Sequence, residues 1–477
     1  WSVATGSAPV PPATSLPMHS LADRFAPFAA RMRAAGLPEV ALETFEYYYG
    51  QLVSGATGLI PEHSIEPIRA LPDVTAFGTE LADRGRRELR KTVLMKLNGG
   101  LATSMGLVGP KALLTVKDDL TFLDIVLRQA ETYGIPLVLM DSFTTHEATL
   151  AAVASHPKSR ADLVVAFEQH KVPKITKADL SPGDWPNDRR LEWCPPGHGN
   201  LYAALATSGA LDRLLDRGYE YAFVSNIDNL GAVIDPAILG YFAEHRHGFM
   251  MEVTDRTEAD KKGGHLARRQ DGRLVLRELA QCPPDELGAF QDTTRHRYFN
   301  TNNIWLNLPM LKAFMAAGDG VVRLPMICNT KTIDPRDGAS PVVYQLETAM
   351  GAAIELFEDA AAVRVPRLRF AAVKKTGDLL GIRSDAHILT DDFRIVPNPR
   401  RTLGPIVVTL DERYYAFIDQ MEVRFPDGPP SLVDCEKLDV IGDVRFGRNV
   451  VVKGTVRVVN DASTPREIPA GTALTGP

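Results

Sequence analysis

Cysteine is scarce and scattered in this chain. Cys194, Cys282, Cys328 and Cys435 lie far apart and form no CxxC pair. That leaves no disulfide framework and reads as a reduced, cytoplasmic protein. No lysine- or arginine-rich block stands out and the formal net charge is −6, so a nucleic-acid partner is disfavoured. No apolar run approaches the roughly 20 residues of a spanning helix, so no membrane partner is expected. The opening stretch WSVATGSAPVPPATS lacks the basic-then-apolar order of a signal peptide. Residues 1–18 read as a disordered Pro/Ala/Ser tail or a cropped or tagged start. HExxH, a Cys/His cluster and a Ser/His/Asp order are all missing, and the 11 histidines are dispersed. Zinc-enzyme and nucleophilic-hydrolase readings therefore have no support.

What is present is a large chain of 477 residues, enough for two to four domains at roughly 100–200 residues each. Leu21, Phe25, Phe28 and Met32 make one helical stripe, and Leu42, Phe45, Tyr49 and Leu52 another. From about residue 92 to 375, apolar runs at 93–97, 137–140, 163–167, 221–224, 249–253 and 303–306 alternate with helical stretches. That alternation predicts an α/β domain with a largely parallel sheet, whose ligands bind beyond the carboxyl ends of the strands. Further on, Leu438, Val444, Val450 and Val456 recur every six residues with Gly442, Gly447 and Gly454 between them. Such a period suggests coils of a β-helix, against the plainer alternative of a hairpin pair.

Six segments carry the chemistry. TVLMKLNGGLATSMGLVGPK (92–111) is a buried strand that empties into a small-residue loop ending in Lys111. Glycines let backbone N–H groups approach oxyanions, and a lysine adds a full charge. The spacing is neither Walker A nor GxGxxG. The strand-to-loop context favours a nucleotide loop over a plain turn with a solvated lysine. In WCPPGHGN (193–200), two prolines stiffen the approach and two glycines flank His198; a tight turn with a surface histidine reads equally well. FVSNIDNLG (223–231) ends a strand in Asn226, Asp228 and Asn229. Asp228 there could hold Mg²⁺ against phosphate oxygens, or the run could be Asx turns. FNTNN (299–303) offers asparagine donors and acceptors suited to sugar hydroxyls, but alone reads as a polar turn. QLETA (345–349) is expected to open a helix to Phe357, where Glu347 would simply favour the macrodipole. Lys374 and Lys375 could clamp phosphate, although a lysine pair is usually a solvated surface.

Taken together these segments resemble the UTP–glucose-1-phosphate uridylyltransferases of the eukaryotic type. KLNGG, TSMG and GPK (96–111), PLVLM-SF-T (136–145), WCPPGHG, NIDNLGA (226–232), MEVT (251–254), KGG (262–264), FNTNN-W (299–305), QLETAMGAAIELF (345–357) and VPR-RF--VKKTGDLL (365–380) carry the resemblance. It implies a Rossmann-like, GT-A-like nucleotidyltransferase core with a mixed sheet, an N-terminal helical extension and a C-terminal left-handed β-helix. The implied boundaries are 19–90, 91–385 and 386–477. It also implies that UTP and glucose 1-phosphate give UDP-glucose and pyrophosphate with Mg²⁺.

Carried over motif by motif, Leu97, Asn98, Gly99, Gly100 and Lys111 would bind UTP, with Gln169 and Gly197 on the uridine. His198, Asn226, Asn300, Thr301 and Asn302 would hold the sugar phosphate, and Glu347 the glucose hydroxyls. Asp228 would bind nucleotide and metal, and Lys374 the triphosphate. The chain departs from the family pattern at Ala102, Val108, Ala112, Asn200 and Ile227. Ala for Gly at 102 is harmless only at negative φ. Two other readings stay open: a relative using another sugar 1-phosphate, and a catalytically silent nucleotide-sugar-binding protein. The C-terminal repeat is too short for an acyltransferase and reads as an interaction or homo-oligomer surface.

Overall fold

The structure is a computed structural model and describes residues 20–101, 105–106, 109–156, 163–318 and 320–476. The tail 1–18, Ala102 and Val108 lie outside the described residues. The chain divides into two compact units. The first comprises residues up to Met95, Phe167–Val224 and Asp235–Pro366; the second comprises Lys96–Ala166, Ser225–Ile234 and Arg367–Pro477.

The first unit begins with helices Leu21–Ala34 and Glu39–Val53. Ser20 and Asp23 cap the first of them reciprocally. Phe25, Phe28, Met32, Leu42, Phe45, Tyr49 and Leu52 are buried as their spacing predicts, whereas Leu21 is exposed. Their rings interlock, Phe28 and Tyr49 having centroids 4.9 Å apart. The cluster continues into Val172, Ile175, Met326, Tyr344 and Leu346. Each such side chain buried contributes about 1.5–3 kcal/mol.

The sheet of this unit runs in the order Ile65–Pro67, His265–Arg269, Tyr298–Asn307, Tyr221–Asn226, Thr92–Asn98. Strand Tyr298–Asn307 lies antiparallel between Tyr221–Asn226 and Phe249–Asp255. Ala361–Arg364 pairs parallel to Phe249–Asp255. The sheet is mixed, and in this unit mostly antiparallel, which corrects the expectation of a largely parallel one. The cause is local: the chain leaves Phe249–Asp255, folds the antiparallel pair His265–Arg269 and Leu274–Arg277, and returns beside the strand it left. A buried apolar run looks the same in either direction, so alternation could not reveal this.

In the second unit the end of strand Thr92–Asn98 lies beside Leu137–Asp141. Lys96 is buried there and donates to Ser225 Oγ (2.7 Å) and Ala232 O (2.9 Å). Farther along, Val407–Leu410, Cys435–Ile441, Val451–Val459 and Ala473–Thr475 pair in parallel. Leu438, Val444, Val450 and Val456 are all buried. Parallel pairing of successive strands rules out the hairpin alternative. Gly442, at φ +83, lies where a Cβ would stand 1.9 Å from Asn460 O, so the turn requires glycine. Among the described residues, no helix is long and apolar enough to cross a membrane. All four cysteines are free.

Candidate functional site

In the second unit the glycine-rich loop starts where strand Thr92–Asn98 runs out. Its base is closed: Leu101 bridges Pro110, and Lys111 N–H donates to Gly100 O (3.2 Å). Leu97 and Asn98 are buried, Gly99 is half-buried and Gly100 is exposed. Lys111 opens a short 3₁₀ turn, Lys111–Leu113, and its Nζ sits 2.6 Å from Asp228 Oδ2. Both side chains are largely enclosed, at 15% and 19% exposure. A pair so placed is less screened by solvent than a surface pair. Asp228 follows strand Tyr221–Asn226, whose last residue, Asn226, is half-buried.

That acidic loop lies against residues 369–373. Asn229 Nδ2 donates to Arg369 O (3.1 Å), its Oδ1 accepts from Ala371 N–H (2.9 Å), and Val373 N–H donates to Asp228 O (3.2 Å). Lys374 is the next residue. It is exposed, with Nζ 5.6 Å from the Phe370 ring centre. Its neighbour Lys375 is engaged by Glu412 at 2.7 Å, so the two adjacent lysines have different surroundings. Lys111, Asp228 and the backbone that carries Lys374 are thus brought together, from segments more than 100 residues apart. Ala112 and Ile227 are buried, so apolar residues suit both positions here.

The first unit holds the second group. Gly197, at φ +79, lies where a Cβ would meet Thr348 O at 2.4 Å. Thr348 N–H donates to Pro196 O (3.0 Å). His198 Nδ1 accepts from Met350 N–H (3.0 Å), so the neutral ring keeps its proton on Nε2, as a donor. Desolvation pushes its pKa down to about 4. Glu347 is half-buried, 3.8 Å from Lys331 Nζ. It lies on strand Val342–Thr348, paired with Met326–Thr332, not in a helical first turn as its sequence suggested. Only a 3₁₀ stretch, Met350–Glu355, follows.

Asn300, Thr301 and Asn302 lie within strand Tyr298–Asn307, not before it. The register shifts beside them at Glu252/Val253, and Asn302 has φ +60. Gln169 is buried just after strand Val164–Glu168.

Two partners went unassigned in the sequence. Glu252 is fully buried beneath the asparagines; its carboxyl accepts from Asn303 Nδ2 (3.1 Å) and Trp305 Nε1 (3.0 Å). A charged residue inside the apolar run FMMEVTD was the available signal. His170 is the other. Its backbone N–H donates to Asn200 Oδ1 (2.7 Å), Asn200 Nδ2 lies 3.0 Å from its Nδ1, and its Nε2 lies 2.9 Å from Thr207 Oγ1. Burial lowers its pKa to about 4. Thr207 Oγ1 donates to Ala203 O (2.9 Å) and so accepts from Nε2, which leaves Nδ1 to accept from the Asn200 amide.

Among the described residues no group of three or more His, Cys, Asp or Glu could hold a metal. Asp228 offers one carboxylate, which fits Mg²⁺ only with substrate phosphates completing its shell.

The family model described as UTP–glucose-1-phosphate uridylyltransferase matches residues 42–453. A probable UTP–glucose-1-phosphate uridylyltransferase of Schizosaccharomyces pombe is 39% identical over 403 residues, 83% of this chain and 78% of that protein. The Solanum tuberosum enzyme is 39% identical over 398 residues, 82% and 81% of the two chains. The UDP-glucose pyrophosphorylase of Leishmania major, solved as a mutant in complex with UDP-glucose, superposes with TM-score 0.89. It is 42% identical, over 96% of this chain and 99% of that one. A structure described as UDP-glucose phosphorylase from Trypanosoma brucei gives 0.86 at 44% identity, covering 95% and 98%. On these matches, spanning fold and motifs alike, the chain belongs to the UTP–glucose-1-phosphate uridylyltransferase family.

Proposed function

We propose that this chain makes UDP-glucose and pyrophosphate from UTP and α-D-glucose 1-phosphate. The observation that carries the proposal is the convergence of Lys111, Asp228 and the Lys374 segment at the mouth of the glycine-rich loop, in a chain with this family membership. The nucleophile is the sugar's own phosphate, largely dianionic near neutral pH because its second pKa is about 6. No general base is required. The barrier lies in bringing anions together and spreading charge on the α-phosphate, so catalysis is positioning plus electrostatics.

In this reading Lys111 and Lys374 neutralise the triphosphate. Leu97, Asn98, Gly99, Gly100, Gln169 and Gly197 hold the nucleotide. His198, Asn226, Asn300, Thr301, Asn302 and Glu347 hold the sugar phosphate. His198 fits that part as a neutral donor through Nε2. Asp228 would hold Mg²⁺ with the phosphates, where the ion would supply further charge neutralisation.

The same reading carries a GT-A-like core over 91–385, a helical extension over 19–90 and a left-handed β-helix over 386–477. The parallel ladders and buried six-residue repeat near the C-terminus support the last of these. It also carries a cytoplasmic location and a homo-oligomer formed through the C-terminal segment, where Val407 and Val423 are exposed. Light scattering tests the oligomer: a Val407→Glu, Val423→Glu chain with unchanged mass discards that surface. The main test is a panel of sugar 1-phosphates with UTP or TTP, read by pyrophosphate release. Fastest turnover is expected with glucose 1-phosphate and UTP. A faster reaction with galactose 1-phosphate or an N-acetylhexosamine phosphate would replace the substrate assignment. Tight UDP-glucose binding without turnover would replace the enzyme by a sensor.

A further inference from the structure

The segment Asp141–His146, at the end of strand Leu137–Asp141 and the start of helix His146–Ser155, has no role in the proposed reaction. Yet Asp141, Ser142 and Thr145 of this segment, with Thr149 of the helix, are buried against the base of the glycine-rich loop. Asp141, Ser142, Thr145 and Thr149 are each 0% exposed, and Asn98 is 1% exposed. Sealing so many polar groups is unfavourable unless each is hydrogen-bonded.

Apart from Asn98 Oδ1, which is buried without a partner, they are bonded, and to one place. Thr145 Oγ1 donates to Asn98 O (2.8 Å) and Ser142 Oγ to Gly99 O (3.0 Å). Asn98 Nδ2 donates to Asp141 Oδ1 (2.7 Å) and to Thr149 Oγ1 (2.9 Å). Asp141 Oδ2 is held in turn by His146 Nδ1 (2.8 Å), and Ser142 N–H donates to Thr145 Oγ1 (2.9 Å). Two consecutive carbonyls and one side chain of the strand-to-loop turn are therefore stapled to the neighbouring segment.

A trans peptide is planar, with its C=O and N–H opposed. Fixing the Asn98 carbonyl toward Thr145 turns the Gly99 N–H the other way. Fixing the Gly99 carbonyl toward Ser142 does the same to the Gly100 N–H. Glycine would otherwise leave both planes free to rotate. The Asn98 amide nitrogen is committed to Asp141 and Thr149 and its Oδ1 is buried away from solvent, so what this turn offers a ligand is its backbone N–H groups.

We propose that Ser142 and Thr145, with Asp141 acting through Asn98, are positioning residues of the nucleotide loop: they orient the Gly99 and Gly100 N–H groups as a preformed cradle for the nucleoside triphosphate. The proposal rests on the reading of 97–100 as the UTP loop. Preorganised donors cost no reorientation when the anion arrives.

The test varies UTP and glucose 1-phosphate separately in the full chain, for Ser142→Ala, Thr145→Val and Thr145→Ser, with melting temperature recorded alongside. Losing one such hydrogen bond is expected to raise the KM for UTP about five- to tenfold. The KM for glucose 1-phosphate should change less than twofold, and Thr145→Ser should restore the parent value. Should Thr145→Val fail to fold, a raised KM for UTP in Ser142→Ala beside a parent-like value in Thr145→Ser still decides. An unchanged KM for UTP in Ser142→Ala, or equal rises for both substrates, overturns the positioning role while leaving the reaction intact. A parent chain that releases no pyrophosphate from UTP overturns the loop reading and the positioning role together.

Discussion

Lys111 shows what a single residue can be asked to do. Its ammonium sits 2.6 Å from Asp228 in a largely enclosed place, where electrostatic interactions are less screened than at the surface. Lys111→Ala is expected to lower kcat by roughly two to four orders of magnitude while the circular dichroism spectrum stays that of the parent. Near-normal turnover would remove the lysine from the mechanism. Asn200 carries a second prediction at this scale. In Asn200→Asp the amide donor to His170 Nδ1 disappears, and a carboxylate there accepts from Nδ1–H, most strongly from the protonated ring. The raised His170 pKa makes the variant lose stability against the parent as pH rises from 5 to 8, by about 1–3 kcal/mol. Melting temperatures that track the parent across that range would show that Asn200 is not needed as a donor.

At the scale of elements, the two N-terminal helices depend on an aromatic cluster. Phe28 is 0% exposed and touches Phe25, Phe45 and Tyr49. Phe28→Ala is expected to cost about 3–5 kcal/mol, seen as early proteolytic cleavage within 20–54 and a lower first unfolding midpoint; an unaltered cleavage pattern would count against it. These helices were legible in the sequence because a 3.6-residue stripe is a property of one segment. Glu347 was not. Residues 345–357 are rich in helix formers, but pairing with Met326–Thr332 makes their first part a strand. Tertiary pairing outweighs a propensity worth tenths of a kcal/mol per residue. The same limit applies to strand direction, since the apolar runs located the strands and said nothing about how the chain returned between them.

For the whole molecule, histidine burial sets the acid limit. His170 and His198 are both pushed down to about 4, and His265 lies well below its ordinary range, all chiefly through desolvation. Between about pH 6.5 and 4 the unfolded chain therefore binds protons that the folded chain refuses. Stability should fall with decreasing pH through that window, by up to about 1.4 kcal/mol per pH unit for each histidine. Carboxylates such as Asp411, lowered to about 2 by Arg413 and by backbone N–H groups, add their loss only below about pH 4. Denaturant melts at pH 7, 6, 5 and 4 check this; a flat profile down to pH 4.5 would mean the imidazoles are protonated in the fold.

The amino-acid order was enough to reveal the chemistry on offer: a strand opening into a glycine-rich loop with a lysine, an acidic strand end, a histidine framed by glycines, and a six-residue repeat. Those are local patterns, fixed by which side chains and turns a short stretch contains. Which of them meet, and in what state, was decided by long-range packing. Only the fold sets Lys111 against Asp228, gives Lys374 and Lys375 different surroundings, buries Glu252 under the asparagines and turns the carbonyls of Asn98 and Gly99 toward Thr145 and Ser142. Adjacency, desolvation and hydrogen-bond direction depend on residues distant in sequence, so no local pattern can encode them.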